Sequence, residues 1–382
     1  MEAATGGPPA GRGGIRVRVE NDVRAAEVDG WLSNLLDRTE LKEARITTRR
    51  HGTTGPYLQV QVRSELAAEW APGDDTSRLC QILKLDTEGN DGDLDREILL
   101  AMMLSPVPFE FPSHDELMSA VRIRRFICQA ARRTAIAFDT SAAERPPDYW
   151  RYDEDRGFVL LPGKSLIAAM EKATNSGVPD TLYTFSCRRA TEYLVLLGHV
   201  REAMTCNPKL WGQLHRQAET RAVKGSEFDG VFVRTIGSAA EPFPVRYFVP
   251  GDRHWFRNTD PVSSNVTGYE GSWTIHLGGG LFADFWRRDR VFTLETKLAC
   301  VYHWRNAVCR DSHGDLQIDE TRVDELIEES VRPSGDLDRI LQETLRLQSP
   351  LGIEGGGCIE PHREHPCLVR PETTDLVLPD VY

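Results

Sequence analysis

The sequence lacks any run of about 18 apolar residues, the length a membrane-spanning helix needs, so no spanning segment is expected. It also lacks an excess of positive charge. Across 382 residues, 46 Lys and Arg face 58 Asp and Glu, for a formal net charge of −12. Binding to phosphate backbones draws on clustered basic residues, so no general nucleic-acid partner is expected. The densest basic group is Arg122, Arg124, Arg125, Arg132 and Arg133 in VRIRRFICQAARRTAIAF, and its spacing is that of the polar side of a helix. Cysteine is scarce, with eight widely scattered residues. That fits free thiols in a reducing compartment better than a disulfide framework. The opening MEAATGGPPAGRGG has no apolar core of the kind a secretory leader carries, and a cytoplasmic location is expected.

What is present is ordinary for a globular chain: 40% hydrophobic and 27% charged residues. The length is more than one core normally uses. Residues 1–14 are rich in Gly and Pro and are expected to be a disordered tail. Residues 15–108 read as a small α/β module of unknown role. IRVRV alternates as a strand does, VRAAEVDGWLSNLLDRT is an amphipathic helix, and ARITTRR and PYLQVQVR are two further strands. SRLCQILKL fits helix or strand, and REILLAMMLS reads as a helix. Ser113 and Glu116 form a capping pattern for a helix expected to run to about Phe138. Asn207-Pro208 marks another helix start. From Leu294 onward, TLETKLACVYHWRNAV, ETRVDELIEESV and DLDRILQETLRLQ have the charge pattern of solvated helices. They define a helical extension with a C-terminal loop over residues 293–382.

The stretch TLYTFSCRRATEYLV, Thr181 to Val195, carries the clearest chemical signal. Leu182, Tyr183 and Phe185 are bulky and strand-like, whereas Ala190, Tyr193, Leu194 and Leu197 recur at helical spacing. Cys187 therefore falls at the start of a helix. There the macrodipole, unpaired backbone N–H groups and the adjacent Arg188 and Arg189 all favour a thiolate.

Five segments in order carry a family resemblance: PPDYWRYDEDRGFVLLPG (146–163), SLIAAMEKATNSG (165–177), LYTFSCRRATEYLVL (182–196), PGDRHWFRNTDP (250–261) and GYEGSWTIHLGGG (268–280). Over about residues 112–290 the chain resembles the bacterial spore-type protein-glutamine gamma-glutamyltransferases. The resemblance implies a transglutaminase-like catalytic core over 112–292, with a papain-like thiol fold and Cys187 as nucleophile. Other positions depart from the family's pattern. Ser186 stands where the family has an acidic residue. Ser272 occupies the place of its acidic partner, with Glu270 two residues earlier. The segment that holds its histidine corresponds to LFADFWRRD (281–289), with Phe285 near the histidine's place.

Side chains alternate along a strand. In YEGSWTIHL, Glu270, Ser272, Thr274 and His276 share one side, and Tyr269, Trp273, Ile275 and Leu277 the other. Glu270 and His276 are the candidate bases for Cys187. They are roughly 20 Å apart along a strand, so both cannot reach it. His254 is a further candidate, and Asp284 reads as a turn carboxylate. Tyr149, Trp150, Tyr269, Trp273 and Phe285 are expected to line an apolar slot around the thioester. Near the C-terminus, CIEPHREHPC places Cys358, His362, His365 and Cys367 within ten residues. Their spacing is not that of a usual zinc knuckle, and an ordinary polar loop is the favoured reading.

The expectation is an α+β chain: a papain-like, transglutaminase-like core, a small N-terminal α/β module and a helical C-terminal extension. The function the resemblance implies is acyl transfer through a cysteine thioester. A carboxamide donor of glutamine type and an amine acceptor, protein or small molecule, would give an isopeptide or amide bond, without cofactor or metal. The alternatives are an inactive cleft that binds a partner, or a thiol deamidase or amidase.

Overall fold

The computed structural model describes residues 13–52, 55–138, 143–285, 290–353 and 355–379. The expected tail lies outside the described residues as far as residue 12. Its last two positions, Gly13 and Gly14, are buried and donate hydrogen bonds to the carbonyls of Pro106 (3.0 Å) and Ser105 (2.9 Å). A Cβ on Gly13 would stand 2.1 Å from the Val107 carbonyl carbon, so the packed chain begins earlier than composition implied.

The first sheet has four strands: β1 (Ile15–Arg18), β2 (Arg45–Gly52), β3 (Gly55–Val62) and β4 (Phe109–Phe111), in the order β2–β3–β1–β4. β1 is antiparallel to β3 and parallel to β4. Ile15 and Val17 are buried while Arg18 faces out, as alternation predicts. Helix α1 (Asp22–Leu35) adds Val28 and Leu32 to this core. Helix α2 (Asp91–Met103), capped by Asn90, adds Leu94 and Ile98 to Met103. SRLCQILKL resolves as a short helix, Leu79–Leu83, stopped by Lys84 in a left-handed conformation (φ 53°).

Helix α3 (His114–Arg133) starts where Ser113 accepts a hydrogen bond from the Glu116 N–H at 3.2 Å. It ends at Arg133, short of Phe138, because Ala137–Phe138 pairs in parallel with Thr184–Phe185. Four of its five arginines do not form a solvated face. Arg124 is fully buried and paired with Asp252 at 2.7 Å. Arg122 pairs with Glu202, Arg125 with Asp95, and Arg132 donates to the Thr87 and Leu277 carbonyls. These four guanidinium groups tie α3 to different neighbours, and Arg133 at the end of the helix is exposed.

Helix α4 (Cys187–Cys206) packs along α3. The approach is tight at Gly198, where a Cβ would lie 2.7 Å from Ile127 Cγ1. Beside α4 stands a second sheet, an antiparallel meander of β5 (Arg253–Arg257), β6 (Gly271–Gly278), β7 (Leu281–Ala283) and β8 (Val291–Thr293). Ile275, Leu277 and Ala283 join the α4 core, while Phe256, Phe282 and Phe292 join a core built with helix α5 (Leu294–His303). The sheet is therefore covered on both faces. α5 is buried along most of its length, with Leu298 and Ala299 at 0% exposure, not solvated as its charge pattern implied. Helices α6 (Glu320–Val331) and α7 (Leu337–Thr344) pack on α5 through Val323, Ile327 and Ile340.

The C-terminal segment returns to the centre, where Arg363–Pro366 pairs antiparallel with Val233–Ile236. The three hydrophobic cores take residues from both sides of the divisions drawn on the sequence. Among the described residues no helix is long and apolar enough to cross a membrane.

Candidate active site

Cys187 is the first residue of α4. Ser186 caps the helix in an extended conformation and accepts a hydrogen bond from the Arg189 N–H at 3.3 Å. The junction is held from below by Arg145. Its guanidinium lies 3.3 Å from the Phe185 ring centroid, and it donates to the Tyr193 hydroxyl (3.1 Å) and the Thr184 carbonyl (2.9 Å). Phe185 meets Tyr193 edge-on at 5.1 Å. A buried cation between two rings fixes strand end and helix start together.

The Cys187 side chain is half-buried and opens into a recess shared with Ser186, Arg188, Phe138, Trp255, Glu270, Gly271 and Trp273. Trp255 and Trp273 are register partners on β5 and β6, with ring centroids 6.3 Å apart and planes 25° apart. A Cβ at position 271 would stand 2.2 Å from Trp255 Nε1, so glycine there makes room for the indole. Arg253 lies 4.6 Å from the Trp273 ring centroid, and Arg188 lies 5.4 Å from it. Arg253 is buried and bidentate to Glu364 (2.5 and 2.7 Å), and Asp229 bridges Arg253 and Arg188. This network fixes the tryptophan wall of the recess.

Burial pushes the Cys187 thiol above its ordinary value. A backbone hydrogen bond from Trp273, the charge of Lys297 and a backbone hydrogen bond from Arg188 pull it down, and Asp284 pushes it up. The sum leaves a neutral thiol in the resting molecule.

Of the two candidate bases, Glu270 lines the recess and is exposed to solvent. His276 does not reach it. Its ring is fully buried against Phe248 (5.9 Å) and Phe282 (5.0 Å), and burial lowers its pKa to about 4. His276 faces the α5 core, so the alternation that placed it beside Glu270 leads to the wrong side of the sheet for Cys187. His254 is likewise enclosed by Phe248 and Phe256, and burial holds it well below its ordinary value.

Of the five expected slot residues, Trp273 lines the recess. Trp150 lines a separate cavity with Tyr193 and Leu166. Tyr149 packs on the α4 core under Lys164, and Tyr269 packs edge-on against Trp304 while its hydroxyl donates to Glu320. Phe285 is buried in the α4 core. The rest of LFADFWRRD, residues 286–289, lies outside the described residues. Trp255 and Phe138 were missed. The signal for Trp255 was available, since DRHWF and GSWTI each carry one tryptophan and pair as adjacent strands.

The C-terminal cluster does not converge. Cys358 is buried in the α5 core and Cys367 in the α4 core, and His365 packs on Phe109 and Phe111. Among the described residues, no group of three or more His, Cys, Asp or Glu could hold a metal ion.

A family profile described as protein-glutamine gamma-glutamyltransferase matches residues 77–293, more than half of the chain. The chain belongs to that family, and membership points to acyl transfer as the class of reaction. Among solved structures, it is similar to a transglutaminase from Geobacillus stearothermophilus, without its C-terminal extension. The two are 19% identical, with 56% of this chain and 98% of that chain covered, at a TM-score of 0.36. No curated protein matches.

Proposed function

We propose that the chain is a thiol acyltransferase of transglutaminase type, built on a papain-like core. It acts on a glutamine-type carboxamide, with Cys187 as nucleophile and Glu270 as base. The observation that carries this reading is the recess itself. A half-buried thiol at a capped helix start shares a tryptophan-walled opening with one exposed carboxylate. Glu270 takes the thiol proton as sulfur attacks the carboxamide carbon, and backbone N–H groups at the start of α4 receive the oxyanion. The protonated Glu270 returns the proton to the departing nitrogen, which leaves as ammonia, and a thioester remains. A primary amine then attacks, loses its proton through Glu270 to the leaving sulfur, and an amide is formed. Trp255 and Trp273 give the aliphatic stem of the donor an apolar wall and limit water at the thioester. Water in place of the amine gives the deamidated product.

A second reading has specific support. Burial keeps the thiol neutral, and no imidazole lines the recess among the described residues, as suits a cleft that binds a carboxamide or amine without turnover.

The test is incorporation of a fluorescent primary amine into a glutamine-bearing protein, with ammonia release followed in parallel. Incorporation by the wild type and none by Cys187→Ala is the expected result. Ammonia without incorporation identifies a deamidase. Neither product, with Cys187 no more reactive to limiting iodoacetamide at pH 7 than Cys309, leaves the binding cleft.

A further inference from the structure

Resting on Glu270 as the base for Cys187, we propose that Asn258 is the positioning residue that sets where the Glu270 carboxylate stands. β5 and β6 stop pairing at Arg257 and Gly271. Residues 258–270 join them, so Glu270 is the last residue of a long connection. A carboxylate at the end of a loop swings unless its backbone is held, and proton transfer during attack needs it held.

Asn258 holds both peptide groups that flank the Glu270 Cα. Its side-chain Nδ2 donates to the Tyr269 carbonyl at 2.8 Å, and its backbone N–H donates to the Glu270 carbonyl at 3.0 Å. Peptide groups are planar and rigid, so fixing both sets the direction in which the Glu270 side chain leaves the chain. Nδ2 also donates to Ser263 Oγ at 2.9 Å, and Asn258 Oδ1 accepts from the Asp260 N–H at 3.0 Å. Ser263 in turn donates through its N–H and its hydroxyl to Asp260 Oδ2, at 2.7 and 2.8 Å. Asn258 and Ser263 are buried, at 1% and 0% exposure. One amide thus ties the near side of the connection to its far end.

The carboxylate itself is held only by its own turn. The Gly268 N–H donates to Glu270 Oε1 at 3.3 Å, and both residues line the recess with Cys187. Among the described residues no side chain binds this carboxylate, so its place is set through its backbone. Tyr269 is anchored independently, edge-on against Trp304 and through its hydroxyl to Glu320. The connection therefore keeps a foothold when the Asn258 amide is removed.

The test measures kcat and KM for amine incorporation in Asn258→Ala, Glu270→Gln and the double variant. Asn258→Ala is expected to lower kcat about tenfold with both KM values little changed, because a slightly displaced base moves the proton less well while the recess still binds. Alkylation of Cys187 by iodoacetamide at high pH, which needs no base, is expected to keep the wild-type rate. In the Glu270→Gln background, Asn258→Ala is expected to cost nothing further, since it acts through Glu270. Effects that multiply, or a folded Asn258→Ala with wild-type kcat, would overturn the assignment while leaving Glu270 as base. Should Asn258→Ala not fold, Ser263→Ala takes its place. It keeps the bond from Asn258 to Tyr269 but removes the Ser263 oxygen, and a kcat loss of roughly threefold is expected, again with none in Glu270→Gln. An unmoved kcat in Ser263→Ala would then overturn the assignment. A wild type without amine incorporation, or a Glu270→Gln enzyme with wild-type turnover, would end the base reading and this one together.

Discussion

Cys187 sits between opposing influences, and its chemistry depends on which prevails once substrate arrives. Burial favours the thiol; the Trp273 backbone, Lys297 and the Arg188 backbone favour the thiolate. A carboxylate at the mouth of the recess can shift the balance by taking the proton during attack, which needs no resting thiolate. In the proposed mechanism Glu270, which lines the recess, takes this part. Glu270→Gln is expected to lower kcat/KM for amine incorporation by 10²-fold or more. Slow alkylation of Cys187 at high pH, where hydroxide removes the proton, should be nearly unchanged. A Glu270→Gln enzyme with wild-type turnover would move the base elsewhere. The sequence pointed to Cys187 through its strand-to-helix switch and neighbouring arginines, which are local signals. It could not separate Glu270 from His276, because alternation tells which side chains share a strand face but not which face a helix covers.

At the scale of elements, α2 and α3 are fastened to the far end of β6 and its turn into β7. Gly279 in that turn donates its N–H to the fully buried carboxyl of Glu97 on α2, at 3.1 and 2.8 Å to the two oxygens. Burial raises the Glu97 pKa from 4.5 to about 7. A carboxyl whose folded value lies above its unfolded value contributes stability that is fully present below the unfolded value. That contribution is lost as pH rises through the folded one. Thermal stability is therefore expected to fall between about pH 4.5 and pH 7 by an amount on the order of 2 kcal/mol from this group. Glu97→Gln should flatten that slope, read from melting temperatures across the range. An unchanged slope would show that Glu97 does not titrate there. Helix boundaries were legible wherever a cap was local, as at Ser113 and Asn207. The end of α3 was not, because it is set by pairing of residues 137 and 138 with 184 and 185. The α3 arginines misled for the same reason: their partners Glu202 and Asp252 lie 80 and 128 residues away.

At the scale of the molecule, the C-terminal segment joins all three cores. Ile359 and Cys358 enter the α5 core, Cys367, Val369 and Leu376 the α4 core, and Leu368 the core of the first sheet. Its polar groups are equally committed: Asn207 donates to the Val369 carbonyl at 2.7 Å, and the Arg370 N–H donates to Glu116 at 3.0 Å. The run CIEPHREHPC looked like a loop with four soft ligands. Its buried charges are what matter, because Glu364 binds the Arg253 that stacks on Trp273. A pairing across 111 residues leaves no local periodicity to read. Truncating one member of a buried pair strands the other charge, at a cost of roughly 3 kcal/mol. Glu364→Ala is thus expected to lower the melting temperature and also to loosen the Trp255–Trp273 wall. The second effect should appear as a raised KM for the glutamine donor in protein that remains folded, with the amine KM little changed. A destabilised Glu364→Ala enzyme with both KM values unaltered would confine the C-terminal segment to a supporting role away from the recess.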